Sequence, residues 1–169
     1  MIKKEIKSLL KSFKYAFKGI FYCVNNERNM RIHISAAIVV SIFAFFFGVT
    51  RLEICLLAIC ICGVISAEMI NTALETLTNL ESPSYNNLAR IAKDVAAGAV
   101  LFWAMVSLIV GAGIFFQKER LIATLIFFWQ NPIISILYFI IILLLIIFIF
   151  KGIKINKEYI KIYNIKNLK

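Results

Sequence analysis

Most of the signatures of a soluble nucleotide- or metal-dependent enzyme are missing from this sequence. It has one histidine, His33, and four cysteines, Cys23, Cys55, Cys60 and Cys62, with no Cys-x-x-Cys spacing. That excludes the common zinc sites and gives no reason to expect a disulfide. Three of the thiols fall in an apolar run, where cysteine acts as a small hydrophobe. There is no Gly-x-x-x-x-Gly-Lys-Ser/Thr and no glycine-rich nucleotide loop, which excludes the usual phosphate cradles. Acidic residues are scarce, nine against nineteen lysines and arginines, giving a net charge of +10. The N-terminal stretch lacks the short apolar core and small-residue cleavage site of a signal peptide.

What is present is hydrophobic length. At 62% hydrophobic and 14% aromatic residues, the chain is too apolar for an ordinary soluble domain. It reads as a compact, all-α integral membrane protein. The basic residues flank apolar segments instead of forming a patch, which argues for anionic lipid and against nucleic acid. Residues 2–24 read as an amphipathic helix lying in the membrane interface, with Ile6, Leu9, Phe13 and Phe17 on one face and Lys7, Lys11, Lys14 and Lys18 beside it. Spans are expected at about 34–49, 54–77 and 92–116, with an extra one at about 133–150. This divides the chain into a core (1–117), a linker with the extra span (118–150) and a basic tail (151–169).

The connections read as follows. Thr50-Arg51-Leu52-Glu53 is expected to make a tight external turn, and Glu81 to Asn87, with Pro83, a loop. Ala96-Ala97-Gly98-Ala99 is a small-residue patch suited to close helix packing. Gln117 to Arg120 is a polar junction, and a less regular apolar stretch then runs to Trp129. With the N-terminus inside, sixteen of the nineteen lysines and arginines fall on the inner side, which predicts a cytoplasmic N-terminus.

The segment from Ile65 to Asn79 breaks the apolar pattern. Glu68, Asn71, Glu75 and Asn79 are spaced three, four and four apart, one row along a helix. The plain explanation is a helix end that turns polar at the membrane surface. Against it, ionisable groups within spans usually face a protein interior or cavity and serve a function. Glu68 lies ~21 Å along the helix from Ile54, within a hydrocarbon layer ~30 Å thick, and Glu75 ~10 Å further, near the inner surface. Glu27, in the polar stretch before the first span, adds a third carboxylate at that surface, whereas His33 reads as an interfacial residue.

Such a set suits phosphoryl transfer. Glu27 and Glu75 could hold Mg²⁺, which commonly takes one or two carboxylates plus phosphate and water. Lys93 supplies a cation, and Glu68 the base for a lipid hydroxyl. Proton or ion transport through the same carboxylates is the alternative, weakened by the short chain and the lack of an inverted repeat.

Four segments carry a family resemblance: Phe13-Lys14-Tyr15-Ala16-Phe17-Lys18-Gly19, Asn26 to His33, Ala67 to Glu75, and Ala92-Lys93-Asp94-Val95-Ala96-Ala97-Gly98-Ala99-Val100. They are similar to the small integral-membrane prokaryotic diacylglycerol kinase/undecaprenol kinase family over residues 13 to about 116. The resemblance implies ATP and Mg²⁺ as cofactors and a homotrimer with sites shared between subunits. Position by position, it implies Glu68 as catalytic base, Glu27 and Glu75 as metal and nucleotide ligands, and Asn71 beside phosphate and substrate. Tyr15, Ser84, Tyr85, Asn86, Lys93 and Asp94 would be nucleotide contacts, with Arg31 and Ala97 near the lipid. Asn79 stands where the family commonly has aspartate, and Asn86 where it often has histidine. The form of Glu27 to His33 is similar to the undecaprenol branch more than to the diacylglycerol branch.

Overall fold

Sharp one- to three-residue corners separate most of the helices. A computed structural model describes residues 2–81 and 87–152; Ser84, Tyr85, Asn86 and the tail beyond 152 lie outside them. The elements are α1 (Ile2–Asn26), α2 (Arg28–Phe47), α3 (Arg51–Glu81), α4 (Asn87–Phe115), α5 (Lys118–Gln130) and α6 (Pro132–Lys151). Among the described residues there is no strand. The chain is an all-α membrane protein, and α2, α3, α4 and α6 are each long and apolar enough to cross a bilayer.

The corner between α2 and α3 is tighter than expected. Gly48, at φ 68°, takes the left-handed conformation that stops α2, and its N–H donates to Ala44 O. Arg51 already opens α3, so the anticipated Thr50–Glu53 turn is instead a reciprocal cap. The Thr50 N–H donates to Glu53 Oε2 (2.7 Å), and the Glu53 N–H to Thr50 Oγ1 (3.3 Å). With 31 residues, α3 is ~46 Å long and overshoots a ~30 Å hydrocarbon layer. The surplus at its C-terminal end carries Glu75 and Asn79.

Helices α3 and α4 form an antiparallel pair. They touch at Gly63, where the Trp103 ring fills the space a Cβ would occupy. Within one chain, the small-residue patch is used only in part. Ala96 packs inward, but Ala97, Gly98 and Ala99 face out, with no atom within 4 Å of a Cβ built at Gly98.

The expected irregular linker is also a regular helix, α5. Its start is tied to Gly48 O through Arg120, and its end stacks Phe127 on Phe46 (5.5 Å). Both ends therefore meet the last turn of α2, and α5 lies across it. Asn131 breaks the chain, Pro132 starts α6 where a missing N–H costs nothing, and α6 returns along α2. On the way, the Tyr138 hydroxyl donates to Val39 O (3.1 Å).

Two apolar clusters hold the bundle. Ala44, Leu57 and Ile114 are buried at the Glu53 end, with Phe115 edge-on to Phe43 and Phe47. Cys23, Val24 and Met30 are buried at the opposite end, packed by Ile34, Ile65, Met69 and Phe148. That second cluster forms the floor beneath the carboxylates.

Candidate active site

The site starts from a helix break. Glu27 is the one non-helical residue between α1 and α2, extended at φ −103° and ψ 118°, with no side-chain cap. Its half-buried carboxyl is pushed above the usual carboxylate range, first by burial and then by the charge of Glu75, with Arg31 pulling the other way. Glu27 and Glu75, from different elements, are therefore electrostatic neighbours within one chain. Both also act on Glu68.

Glu68 is the most deeply placed of the three. It is 1% exposed, and neither carboxylate oxygen has a hydrogen-bond donor. Buried polar groups nearly always find partners, so an acid with both oxygens unmatched points to a role with a ligand. One turn on, the Thr72 hydroxyl donates to the Glu68 carbonyl (3.0 Å), so the neighbouring polar residue satisfies main chain and leaves the acid alone. Asn71 Nδ2 donates to Glu75 Oε1 (3.3 Å), while its own buried oxygen has no partner. The row of Glu68, Asn71, Glu75 and Asn79 therefore grades from a sealed acid to an exposed end, where Lys93 donates to Asn79 Oδ1.

Cys23 was not among the expected site residues. It is buried against this group, shares a hydrogen bond with Thr72, and its thiol is pushed up, first by burial and then by Glu27 and Glu68. Its spacing on α1, ten residues after Phe13 on the apolar face, was the available signal, but it reads equally as core.

The remaining expected residues are spread out. Tyr15 is exposed on α1, with Lys11 and Lys18 about 6 Å from its ring. Asp94 and Ala97 are exposed on α4. Arg31 is 9% exposed and turns to helix ends: Nη1 donates to Val24 O (3.1 Å) and Asn25 O (3.0 Å), and Nε to Ile149 O (3.1 Å). Ser84, Tyr85 and Asn86 fall outside the described residues.

Among the described residues, no three His, Cys, Asp or Glu side chains are grouped tightly enough to hold a metal on their own. Two neighbouring carboxylates, Glu27 and Glu75, suit a hard cation that brings phosphate oxygens and water as its other ligands. The donor set therefore fits Mg²⁺ arriving with a nucleotide and does not fit a resident structural ion.

The chain is similar to known lipid kinases. An undecaprenol kinase from Bacillus subtilis is 37% identical over 116 residues, 69% of this chain and 94% of that protein. A diacylglycerol kinase from Synechocystis is 42% identical over 105 residues, 62% of this chain and 60% of its own length. One from Haemophilus influenzae is 30% identical over 108 residues, 64% of this chain and 92% of its own. No solved structure matches the chain significantly. The sequence model for prokaryotic diacylglycerol kinase matches residues 14–115, a stretch that holds all three carboxylates, and the chain belongs to that family of membrane lipid kinases.

Proposed function

We propose that this kinase transfers the γ-phosphoryl group of ATP to the primary alcohol of a membrane lipid, with undecaprenol as the acceptor. The observation that carries the reading is Glu68: sealed from solvent, without any donor, and in electrostatic contact with two shallower carboxylates. A substrate hydroxyl that reaches this depth would be a lipid's, and the unpaired carboxylate oxygens could receive its proton.

In this reading Glu68 takes the hydroxyl proton as the alcohol oxygen bonds to the γ-phosphorus. The bond from that phosphorus to the ADP oxygen breaks, leaving a lipid phosphate and ADP. Glu27 and Glu75 would hold Mg²⁺, which when bound neutralises charge on the phosphate oxygens. Asn71 fixes Glu75 through its amide and offers a second polar group beside the phosphate. Lys93 counters charge developing on the nucleotide side.

Tyr15, Asp94 and the Ser84-Tyr85-Asn86 segment are assigned to the nucleotide, and Ala97 to the lipid. Arg31 would meet lipid only with the guanidinium edge that main-chain carbonyls do not hold. Tyr15, Asp94 and Ala97 lie on outward faces, which supports a homotrimer whose sites are completed by a neighbour. The charge asymmetry of the sequence supports a cytoplasmic active face.

Two observations favour undecaprenol. Of the two relatives matched over nearly their whole length, the undecaprenol kinase is the more similar, at 37% against 30%, and the Glu27 to His33 segment has the form of that branch. Diacylglycerol is the second reading, favoured by the higher identity to the Synechocystis diacylglycerol kinase. The test is purified protein with γ-labelled ATP and each lipid in parallel. Faster labelling of undecaprenol is expected; preference for diacylglycerol would replace the acceptor, and no label on either would reject the reading.

A further inference from the structure

Helix α6 lies beyond residues 14–115, the stretch that matches the family, yet its last turn reaches the Glu27 corner. The link is Arg31. A helix ends with up to four carbonyls lacking partners and with the negative end of its dipole, so a cation there is favourable twice over. Arg31, in the first turn of α2, serves two such ends at once: Nη1 bonds Val24 O and Asn25 O of α1, and Nε bonds Ile149 O of α6. Three of its five N–H groups are thereby committed. The same guanidinium is the positive charge acting on Glu27.

Three further contacts fix the α6 tip in place. Phe148 packs on the Cys23, Val24 and Met30 cluster, and Arg28 sits over the Phe150 ring at 5.1 Å. Gly152 ends the helix at φ 62° and ψ 179°, a conformation essentially reserved for glycine, and a Cβ there would lie 3.5 Å from the Arg31 guanidinium carbon. Met30, in the same cluster, is fully buried, and Ile65 and Met69, three residues before and one after Glu68, pack against that cluster as well.

We infer that the C-terminal tip of α6 is a positioning element for the kinase site: through Arg31 it sets the angle between α1 and α2 and so the place of the Glu27 carboxylate. Glu27 is the hinge residue of that corner, with no side-chain cap of its own, so its position depends on what clamps the two helices beside it. The functional half of this inference rests on the proposed role of Glu27 toward magnesium nucleotide; the structural half does not.

The experiment uses the full chain with Gly152→Val, which disturbs only the tip, and Phe148→Ala as a second variant should the first fail to assemble. Amide hydrogen exchange is followed across residues 24–31. Half-saturating Mg²⁺ and KM for the lipid alcohol are measured on the same samples. Faster exchange at the corner is expected, with half-saturating Mg²⁺ raised about fivefold or more and lipid KM within about twofold. Arg31→Lys should reproduce the faster exchange at the corner, and combining it with Gly152→Val should add little to that exchange.

Unchanged exchange would overturn the inference, as would additive effects. A rise in lipid KM alone would also overturn it and make α6 a wall of the acceptor groove. Faster exchange with unchanged kinetics would leave a clamp without consequence and equally refute it. Absence of kinase activity in the unaltered chain would reject the functional reading, while the exchange result would still decide whether α6 holds the corner.

Discussion

The two ends of the bundle each contain a buried or half-buried glutamate, and they are treated in opposite ways. Glu53 has every acceptor position in use. Arg120 Nη2 donates to Oε1 (2.8 Å) and Nη1 to Oε2 (3.1 Å), Gln117 adds a bond to Oε1 (3.1 Å), and the Thr50 N–H closes the cap. Arg120 also bonds Gln117 Oε1 and lies over the Phe47 ring. That network ties α2, α3 and α5 together and leaves nothing for a ligand. Glu68 is more deeply buried and has no partner at all. Saturation marks the acid that holds the fold, and vacancy leaves the other free for the role proposed for it.

The comparison can be broken most severely at Glu68. Glu68→Gln should cut phosphoryl transfer by about 10²–10⁴-fold, because the group that accepts the hydroxyl proton is gone. Its thermal midpoint should be no lower than that of the unaltered protein, since no hydrogen bond is lost. Labelled lipid formed at the normal rate would remove Glu68 from the mechanism.

Next in size is the packing between the ends. Gly63→Val should destabilise the α3–α4 pair by about 1–3 kcal/mol, since Trp103 has to move. Unfolding in mixed micelles measures this; an unchanged midpoint would mean the ring has room to turn.

Glu27 sharpens the contrast through pH. Its carboxyl titrates above the ordinary 4.5, so its ionised form is disfavoured in the folded state. Without metal, the Glu27 contribution to stability should be fully present below pH 4.5 and be lost as pH rises through the elevated value. Glu27→Gln should flatten that dependence. With Mg²⁺ and ATP, protons compete for the same carboxylate, so half-saturating Mg²⁺ should climb as pH falls, beginning above pH 4.5. A midpoint whose pH dependence is the same in Glu27→Gln would refute the assignment.

The smallest effect on turnover belongs to the saturated acid. Glu53→Gln should lower the thermal midpoint but leave kcat of the folded protein within about twofold, the mirror image of Glu68→Gln. Loss of turnover with an unchanged midpoint would erase the distinction between the two ends.

The sequence exposed these two glutamates unequally. The Glu68 row could be read directly, because three- and four-residue spacing inside an apolar run has few meanings. The four spans were legible from length and hydrophobicity alone. The Thr50-x-x-Glu53 cap was also written in the sequence, and a turn reading obscured it. Helix α5 was not legible: Leu121 to Trp129 is nearly continuous in apolar residues, so its period is hidden, and its tethers at Glu53 and Phe46 come from distant positions. Arg31 was the hardest to read. Its Ile149 acceptor lies 118 positions away, and no local pattern announces a bond between two helix ends. The contact of Gly63 with the Trp103 ring was not legible either, because a lone glycine in an apolar run carries no pattern.

The return of α6 along α2 has a consequence for assembly. One flank of α2 is already covered by the chain's own C-terminal hairpin, through Tyr138 at mid-depth and Phe148 near the corner. A second copy cannot dock there without displacing it. Any second copy would have to approach from another side, and Ile70, Leu101, Phe102 and Leu108 on α3 and α4 are among the apolar side chains left exposed. The added helix thus acts as a built-in bumper that limits the directions from which sister chains can approach.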